Sequence, residues 1–267
     1  MKPRKFLAPL GFGRSVVCAL PVLLFLAAWQ LVSDWAGGDV LPGAWELARA
    51  FASHAMSDSI IRSQGGGAGG YLPHVAATVM RVAVGVASGA TVGIVAALAL
   101  FQLPRVRRQV EPLLESLRVI PPLILIPFVL VILGPTELAQ YVACALYAVL
   151  SMFVHALNAV ENLPREFWII AKMHGSTRWH TIKTVAWPAS LPELLGGLRI
   201  TLAIGLGIVV LTEYFGAPDG IGRVLKFSIS FARVDLVLVG ILWAALIGVA
   251  FDVLINKVML PQVRWRD

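Results

Sequence analysis

Six apolar stretches dominate this sequence, and each is close to the length that a helix needs to cross a lipid bilayer. Such a helix requires about 20 apolar residues, because the hydrocarbon core is about 30 Å thick. The predicted spans lie at about 15–32, 75–101, 119–133, 138–158, 194–215 and 236–260. The third is short and contains three prolines, which a helix inside a bundle tolerates because neighbouring groups can satisfy the freed carbonyls. We therefore predict an all-α, polytopic membrane protein with about six transmembrane helices.

The composition agrees with a membrane protein and excludes several other classes. Of the 267 residues, 58% are hydrophobic and 14% are charged, whereas soluble domains are about 45–50% apolar and about 25% charged. A soluble globular enzyme, a disordered chain and a collagen-like fibre are therefore excluded. The two cysteines, Cys18 and Cys144, lie inside apolar stretches, which argues against a disulfide framework or a zinc site.

The net charge of +7 is better explained by membrane orientation than by nucleic-acid binding, because basic residues collect on the cytoplasmic side of membrane spans. With six spans, 16 basic residues fall on the side of the two termini and five on the other side. This asymmetry predicts that both termini lie in the cytoplasm. Because membrane orientation explains the net charge, we expect no bound nucleic acid. Residues 1–32 could also be read as a signal peptide, but no small-residue cleavage site follows, so we expect a retained first helix.

The sequence divides into four predicted segments. Residues 1–14 form a cytoplasmic tail, and 15–74 contain the first span and an outer loop. Residues 75–260 form a core of five spans, and 261–267 a second cytoplasmic tail. In the outer loop, 64–70 read as a flexible glycine-rich linker, and 42–56 as a short amphipathic helix on the outer membrane surface.

The inner loop at 159–193 is too long for a simple turn and too short for a domain. Residues 165–173 are predicted to be helical and to end at Gly175. Ser176 or Thr177 can cap a second helix at about 178–187, which Pro188 is expected to end. Two short helices joined by a corner on the cytoplasmic face indicate a docking surface for a protein partner.

This loop resembles the EAA loop of ABC-importer permeases. Gly175 is followed after nine residues by Val185-Ala186-Trp187-Pro188, and the run PASLPELLGGLRITLAIGLG follows. LRVIPPLILIPFVLVILGPTE at 117–137 is similar to a motif of the branch that imports nitrate, taurine and alkanesulfonates. Further similarities are Phe153 with Asn158, Gly220-Ile221-Gly222 after Glu213, and the last span with Asp235 and Asp252. The loop departs from the pattern at 169–171, where Ile-Ile-Ala stands in place of Glu-Ala-Ala.

The resemblance implies a permease of the type I ABC importer fold in the bacterial cytoplasmic membrane. Such a permease pairs with a second copy, most simply as a homodimer, binds two ATPase subunits, and receives a small anion from a periplasmic or lipid-anchored solute-binding protein. The sequence has no P-loop with which to bind ATP itself, and no cofactor is implied. The residues implied to couple the permease to the ATPase are Ala171, His174, Gly175, Ser176, Thr177, Arg178, Trp179, Val185 and Pro188. The residues more weakly implied in the translocation pathway are Pro121, Pro122, Phe153, Asn158 and Glu213.

Several residues have competing explanations. Gly85, Gly89 and Gly93 suit packing within the chain better than a subunit interface. Arg81 is expected to snorkel towards the outer surface in preference to a role in the pore. Glu213 is expected to pair with a basic neighbour or to cap a turn, in preference to gating the pore. Trp179 could dock the ATPase or lie among lipid headgroups.

Other candidate sites are weak. Asp252 is expected to pair with a basic residue. His155, His174 and His180 are better explained by loop polarity than by a metal site, and no catalytic set of residues can be assembled.

Two other functions are possible for a protein of this composition. A membrane-bound enzyme acting on lipids would place clustered carboxylates for a metal at the inner face, but the inner acids are dispersed. An energy-independent channel would not need a structured docking loop. Neither the substrate nor the choice between homodimer and heterodimer can be read from the sequence.

Overall fold

The computed structural model describes residues 12–38, 40–56, 58–63 and 69–258, and in these ranges the chain is helical with no strand. The helices are α1 (Phe12–Ala36), α2 (Ala44–Ser53), α3 (Ser59–Ser63), α4 (Tyr71–Gln102), α5 (Pro104–Val119), α6 (Pro122–Leu133), α7 (Glu137–Glu161), α8 (Arg165–Met173), α9 (Arg178–Thr181), α10 (Trp187–Gly216), α11 (Ile221–Ser230) and α12 (Val234–Val258). A π-helical turn, Ile182–Ala186, joins α9 to α10. The predicted all-α class is confirmed.

Within the described ranges, four helices are long and apolar enough to cross a membrane. They are α4, α7, α10 with the turn before it, and α12, and they match four of the predicted spans. The other two predicted spans coincide with shorter apolar helices, the described part of α1 and the 12-residue α6. At about 1.5 Å per residue, α6 alone is shorter than the bilayer core. That the chain crosses the membrane six times therefore stays a prediction. The tail 261–267 and most of 1–14 lie outside the described residues.

The core forms where α4 packs against α7, and the glycines of α4 allow the close approach. A Cβ atom on Gly85 would lie 2.7 Å from the Cβ of Cys144, and one on Gly89 would lie 2.7 Å from the Cβ of Ala148. A Cβ on Gly93 would lie 2.9 Å from a backbone nitrogen of α7. These distances are too short for real contacts, so the glycine repeat serves packing within the chain, as expected.

Gly85→Ala is therefore expected to destabilise the folded chain by about 1–3 kcal/mol, the usual cost of overpacking a core. Gly248→Ala on α12 is the matched control, because a Cβ there meets no atom within 4 Å and alanine favours the helix. Thermal unfolding of the detergent-solubilised protein measures both. Equal midpoints for Gly85→Ala and the wild type would contradict this packing.

The inner segments contain a helix that was not predicted, and one prediction about them is wrong. Between the second and third predicted spans the chain forms α5, which begins at Pro104 and whose Arg107 and Glu111 pair one helical turn apart at 2.8 Å. The second helix of the 159–193 loop does not end at Pro188, because the chain passes through the π-helical turn directly into α10. Pro188 lies in the first turn of α10, where a missing N–H is tolerated.

At the other end of the bundle, the stretch Ala44–Ser53 of the predicted amphipathic segment forms the helix α2, and its position on the outer membrane surface stays a prediction. Its apolar face packs on protein, with Phe51 stacked on Trp243 of α12 at 4.7 Å between ring centroids. Most of the predicted linker, 64–68, lies outside the described residues. Gly70 at its end adopts a φ of 83° beside the backbone of Met56, which fixes the entry of the chain into α4.

Candidate functional site

The corner after α8 is built by a local backbone motif. Gly175 has a φ of 68°, a conformation that glycine adopts without the steric penalty of a side chain. The N–H of Ser176 donates to the carbonyl of Ala171 at 3.1 Å, and the N–H of Gly175 donates to Lys172 at 3.0 Å. This pair of bonds is a Schellman motif, which satisfies the last carbonyls of the helix. The predicted end of the first short helix is therefore confirmed.

The next helix begins at the residue after Thr177. The hydroxyl of Thr177 accepts a hydrogen bond from the N–H of His180 at 3.3 Å, as an N-cap residue does. Of the two predicted caps, Thr177 is the one that the structure uses. Arg178 opens α9, although its side chain lies outside the described part, and Trp179 follows with 63% of its surface exposed.

An open cleft of about 1050 Å³ lies between α8 and the start of α10. Seven of the nine predicted coupling residues line it, Trp179 does not, and the side chain of Arg178 lies outside the described part of the chain. The seven are Ala171, His174, Gly175, Ser176, Thr177, Val185 and Pro188. The structure thus brings most of the predicted set together around one concave surface.

The rim beside this cleft is apolar and exposed. Ile169, Ile170 and Met173 of α8 are 57%, 55% and 80% exposed, and Trp179 of α9 is exposed as well. Contiguous exposed apolar side chains on a structured loop mark an interaction site. Ile169 stands where the EAA pattern has glutamate, so this chain presents an apolar side chain at that position.

The five predicted pathway residues lie in different surroundings. Phe153 is 2% exposed in a core cluster with Met152 and Leu157, whereas Asn158 on the same helix is exposed. Pro121 precedes α6 and is exposed, with the half-buried Pro122 as the first residue of that helix. Glu213 is buried in an ion-pair cluster around Arg81. Their role in a pathway stays a prediction.

Arg81 is the centre of a buried ion-pair cluster at the end of the bundle opposite the corner. Its guanidinium lies 2.9 Å from a carboxylate oxygen of Glu213 and 3.4 Å from Glu137, and it also pairs with Asp219. Arg81 and Glu213 are each 1% exposed. The expectation that Arg81 snorkels is therefore wrong, because the buried carboxylate of Glu213 on α10 holds its guanidinium inside. The expectation that Glu213 pairs with a basic neighbour is confirmed.

A hydroxyl and a backbone N–H also donate hydrogen bonds to the Glu213 carboxylate. The Thr78 hydroxyl donates to it at 2.9 Å and the N–H of Gly222 at 3.0 Å. Thr78 in turn accepts from the N–H of Ile221 at 3.0 Å. The cluster therefore fastens α4, α10 and the start of α11 to each other. Thr78, Glu137 and Asp219 were not predicted from the sequence, because Glu137 and Asp219 lie 56 and 138 positions from Arg81 and no local pattern links them.

Asp252 and His174 lie outside this cluster. Asp252 pairs with Arg199 at 3.4 Å, as expected. Among the described residues, no group of three His, Cys, Asp or Glu side chains could hold a metal ion. His174 instead contacts the carbonyl of Ile170 at 2.9 Å through Nδ1.

Comparison with known proteins identifies relatives of one kind. Residues 89–259 match the family described as "Binding-protein-dependent transport system inner membrane component". SsuC of Bacillus subtilis (strain 168), whose name refers to aliphatic sulfonates transport, is 25% identical over 93% of this chain and 86% of its own length. The taurine transport system permease protein TauC of Escherichia coli (strain K12) is 27% identical over 72% of this chain and 70% of its own length. The nitrate import permease protein NrtB of Leptolyngbya laminosa is 23% identical over 91% of this chain and 86% of its own length.

A solved structure shares the fold. A chain of the MetNI methionine ABC transporter, in an inward-facing conformation, superimposes with a TM-score of 0.56 at 23% identity. The match covers 70% of this chain and 95% of that chain. Over that part of its length, the chain therefore shares its fold with a chain of a known transporter.

Proposed function

Since this chain belongs to the family of binding-protein-dependent transport system inner membrane components, we propose that it forms the pathway of an ATP-driven importer and meets its ATPase at the α8–α9 corner. Family membership makes the chain a multi-pass transport permease of the inner membrane. The alternative of a membrane-bound enzyme has no support among the relatives. We propose that residues 75–260 form the permease core and that residues 159–193 within it form the coupling loop.

The observation that supports this assignment best is the corner itself. A Schellman motif and an N-cap hold two short helices around a cleft of about 1050 Å³, beside exposed apolar side chains. Large apolar residues at the centre of an interface carry much of its binding energy, and tryptophan is prominent among them. A cytosolic ATPase subunit that inserts into this cleft would meet Trp179 on its rim.

The family implies two kinds of partner for this chain. Its members work with a solute-binding protein and with ATPase subunits. For this chain we propose a homodimer with two ATPase subunits, and a periplasmic or lipid-anchored binding protein on the outer side. The three relatives described above are named for sulfonates, taurine and nitrate, and we propose a small anion of this kind as the substrate.

The proposed orientation has both termini in the cytoplasm. It rests on the 16 basic residues that the six-span arrangement places on that side, against five on the other. A reporter fused after residue 267 should be active only in the cytoplasm, and activity on the outer side would reverse the arrangement.

Trp179→Ala is expected to weaken retention of the ATPase about tenfold, because it removes an exposed aromatic anchor. Co-purification of the tagged permease with its ATPase in mild detergent measures the effect. Trp45→Ala is the matched control, since Trp45 is 70% exposed on α2 at the other end of the bundle. Equal retention by the two variants would place Trp179 among lipid headgroups, and a wild-type permease that retains no ATPase would refute the proposed function.

A further inference from the structure

Helix α8 stands apart from the helical core, with open space on two sides. The cleft of about 1050 Å³ separates it from α10, and a second cavity of about 590 Å³ lies between it and the end of α4. Trp168 of α8 lines this second cavity opposite Phe101 of α4. A helix placed in this way has room to move when a partner presses on it.

The side chain of Trp168 bridges the gap to the core. Its ring lies 5.4 Å from that of Phe101 between centroids, with 33° between the ring planes. Among the described residues this is the one contact between aromatic rings that α8 makes. Phe101 lies in the last turn of α4, the helix that packs along α7 in the core.

Phe101 is also in contact with a charged group that links two more helices. The guanidinium carbon of Arg107, on α5, lies 5.9 Å from the centroid of the Phe101 ring. Arg107 also forms an ion pair with Glu161, the last residue of α7. A continuous series of contacts therefore runs from Trp168 through Phe101 and Arg107 to the end of α7.

We propose that Trp168 is a positioning residue that passes the displacement of α8 to the ends of α4, α5 and α7. This inference rests on the proposed function, because the displacement comes from an ATPase bound at the α8–α9 corner. Coupling between distant sites can be carried by chains of packed side chains, and the contact between the two tilted rings contributes favourable interaction energy to this chain. Trp168 therefore acts after docking, whereas Trp179 acts in docking itself.

The test separates docking from transmission in the complete complex, reconstituted in liposomes with its ATPase and binding protein. Trp168→Ala should retain the ATPase as the wild type does and hydrolyse ATP, yet lower the substrate imported per ATP at least tenfold. Trp168→Phe keeps an aromatic ring at the position and should restore most of this ratio. Phe101→Leu should reproduce the loss, and it supplies the same test if Trp168→Ala does not accumulate in the membrane.

Two results would overturn the inference. One is an unchanged ratio of import to ATP hydrolysis in both Trp168→Ala and Phe101→Leu. The other is loss of the ATPase from Trp168→Ala to the extent seen in Trp179→Ala, which would make Trp168 a docking residue. Both differ from failure of the proposed function itself, in which the wild-type permease would retain no ATPase at all.

Discussion

Replacing Arg81 with methionine is expected to destabilise the folded chain by about 3–5 kcal/mol, the usual cost of removing one partner from a buried ion pair. Methionine preserves much of the side-chain volume but leaves the carboxylate of Glu213 without its cation. Glu213 is 1% exposed, so water cannot replace the lost partner. The Thr78 hydroxyl and the Gly222 N–H remain as donors, yet neither carries a positive charge.

The measurement is the thermal midpoint and the membrane abundance of Arg81→Met against a matched surface variant. Arg49→Met makes the same chemical change on the exposed face of α2, where we expect at most about 0.5 kcal/mol because its ring contact with Trp45, at 5.7 Å, is solvent-exposed. Similar midpoints for the two variants would show that the buried cluster does not hold α4 to α10.

A double variant tests the electrostatic cause directly. Arg81→Met combined with Glu213→Gln removes both buried charges, and glutamine can still accept from Thr78 and Gly222. Because no uncompensated charge then remains at the centre of the cluster, the double variant should be more stable than Arg81→Met alone. A double variant that is less stable by the sum of both single effects would mean that the two residues act independently.

The parts of the fold that the sequence predicts are those that depend on local chemistry. Long apolar runs predicted α4, α7, α10 and α12, because the length of a span is fixed by the bilayer. The corner was also predictable, since glycine at a helix end and a hydroxyl residue two positions later each have a direct conformational meaning. In both cases the signal lies within a few neighbouring residues.

The parts that the sequence did not predict depend on contacts between distant residues. Arg81 and Glu213 are 132 positions apart, and burial, which pattern analysis cannot see, decides whether such an arginine snorkels or pairs. The continuation of the chain past Pro188 depends on the π-helical turn before it, which has no simple sequence signature. The ring contact between Trp168 and Phe101 joins two segments, the loop and α4, that are far apart in the sequence pattern.

Replacing Gly175 with valine is expected to abolish transport while membrane abundance stays near the wild-type level. The residue has a φ of 68°, where an ordinary side chain costs about 1–2 kcal/mol and a β-branched one is a clear outlier. The cost is conformational, because a Cβ atom there meets nothing within 4 Å. It is comparable with the net contribution of the two backbone hydrogen bonds of the corner, at about 1 kcal/mol each, so α9 would lose its fixed position against α8.

The informative control is Gly175→Asn, because asparagine tolerates positive φ better than other residues with side chains. If the backbone conformation of the corner is what matters, Asn should keep most of the uptake, whereas Val should reduce uptake and transport-coupled ATP hydrolysis more than tenfold. Equal loss in both variants would mean that the cleft rejects any side chain at 175, which makes close contact with the ATPase the requirement. Wild-type uptake by Gly175→Val would remove the corner from the coupling mechanism. It would show that uptake does not depend on the position of α9 against α8.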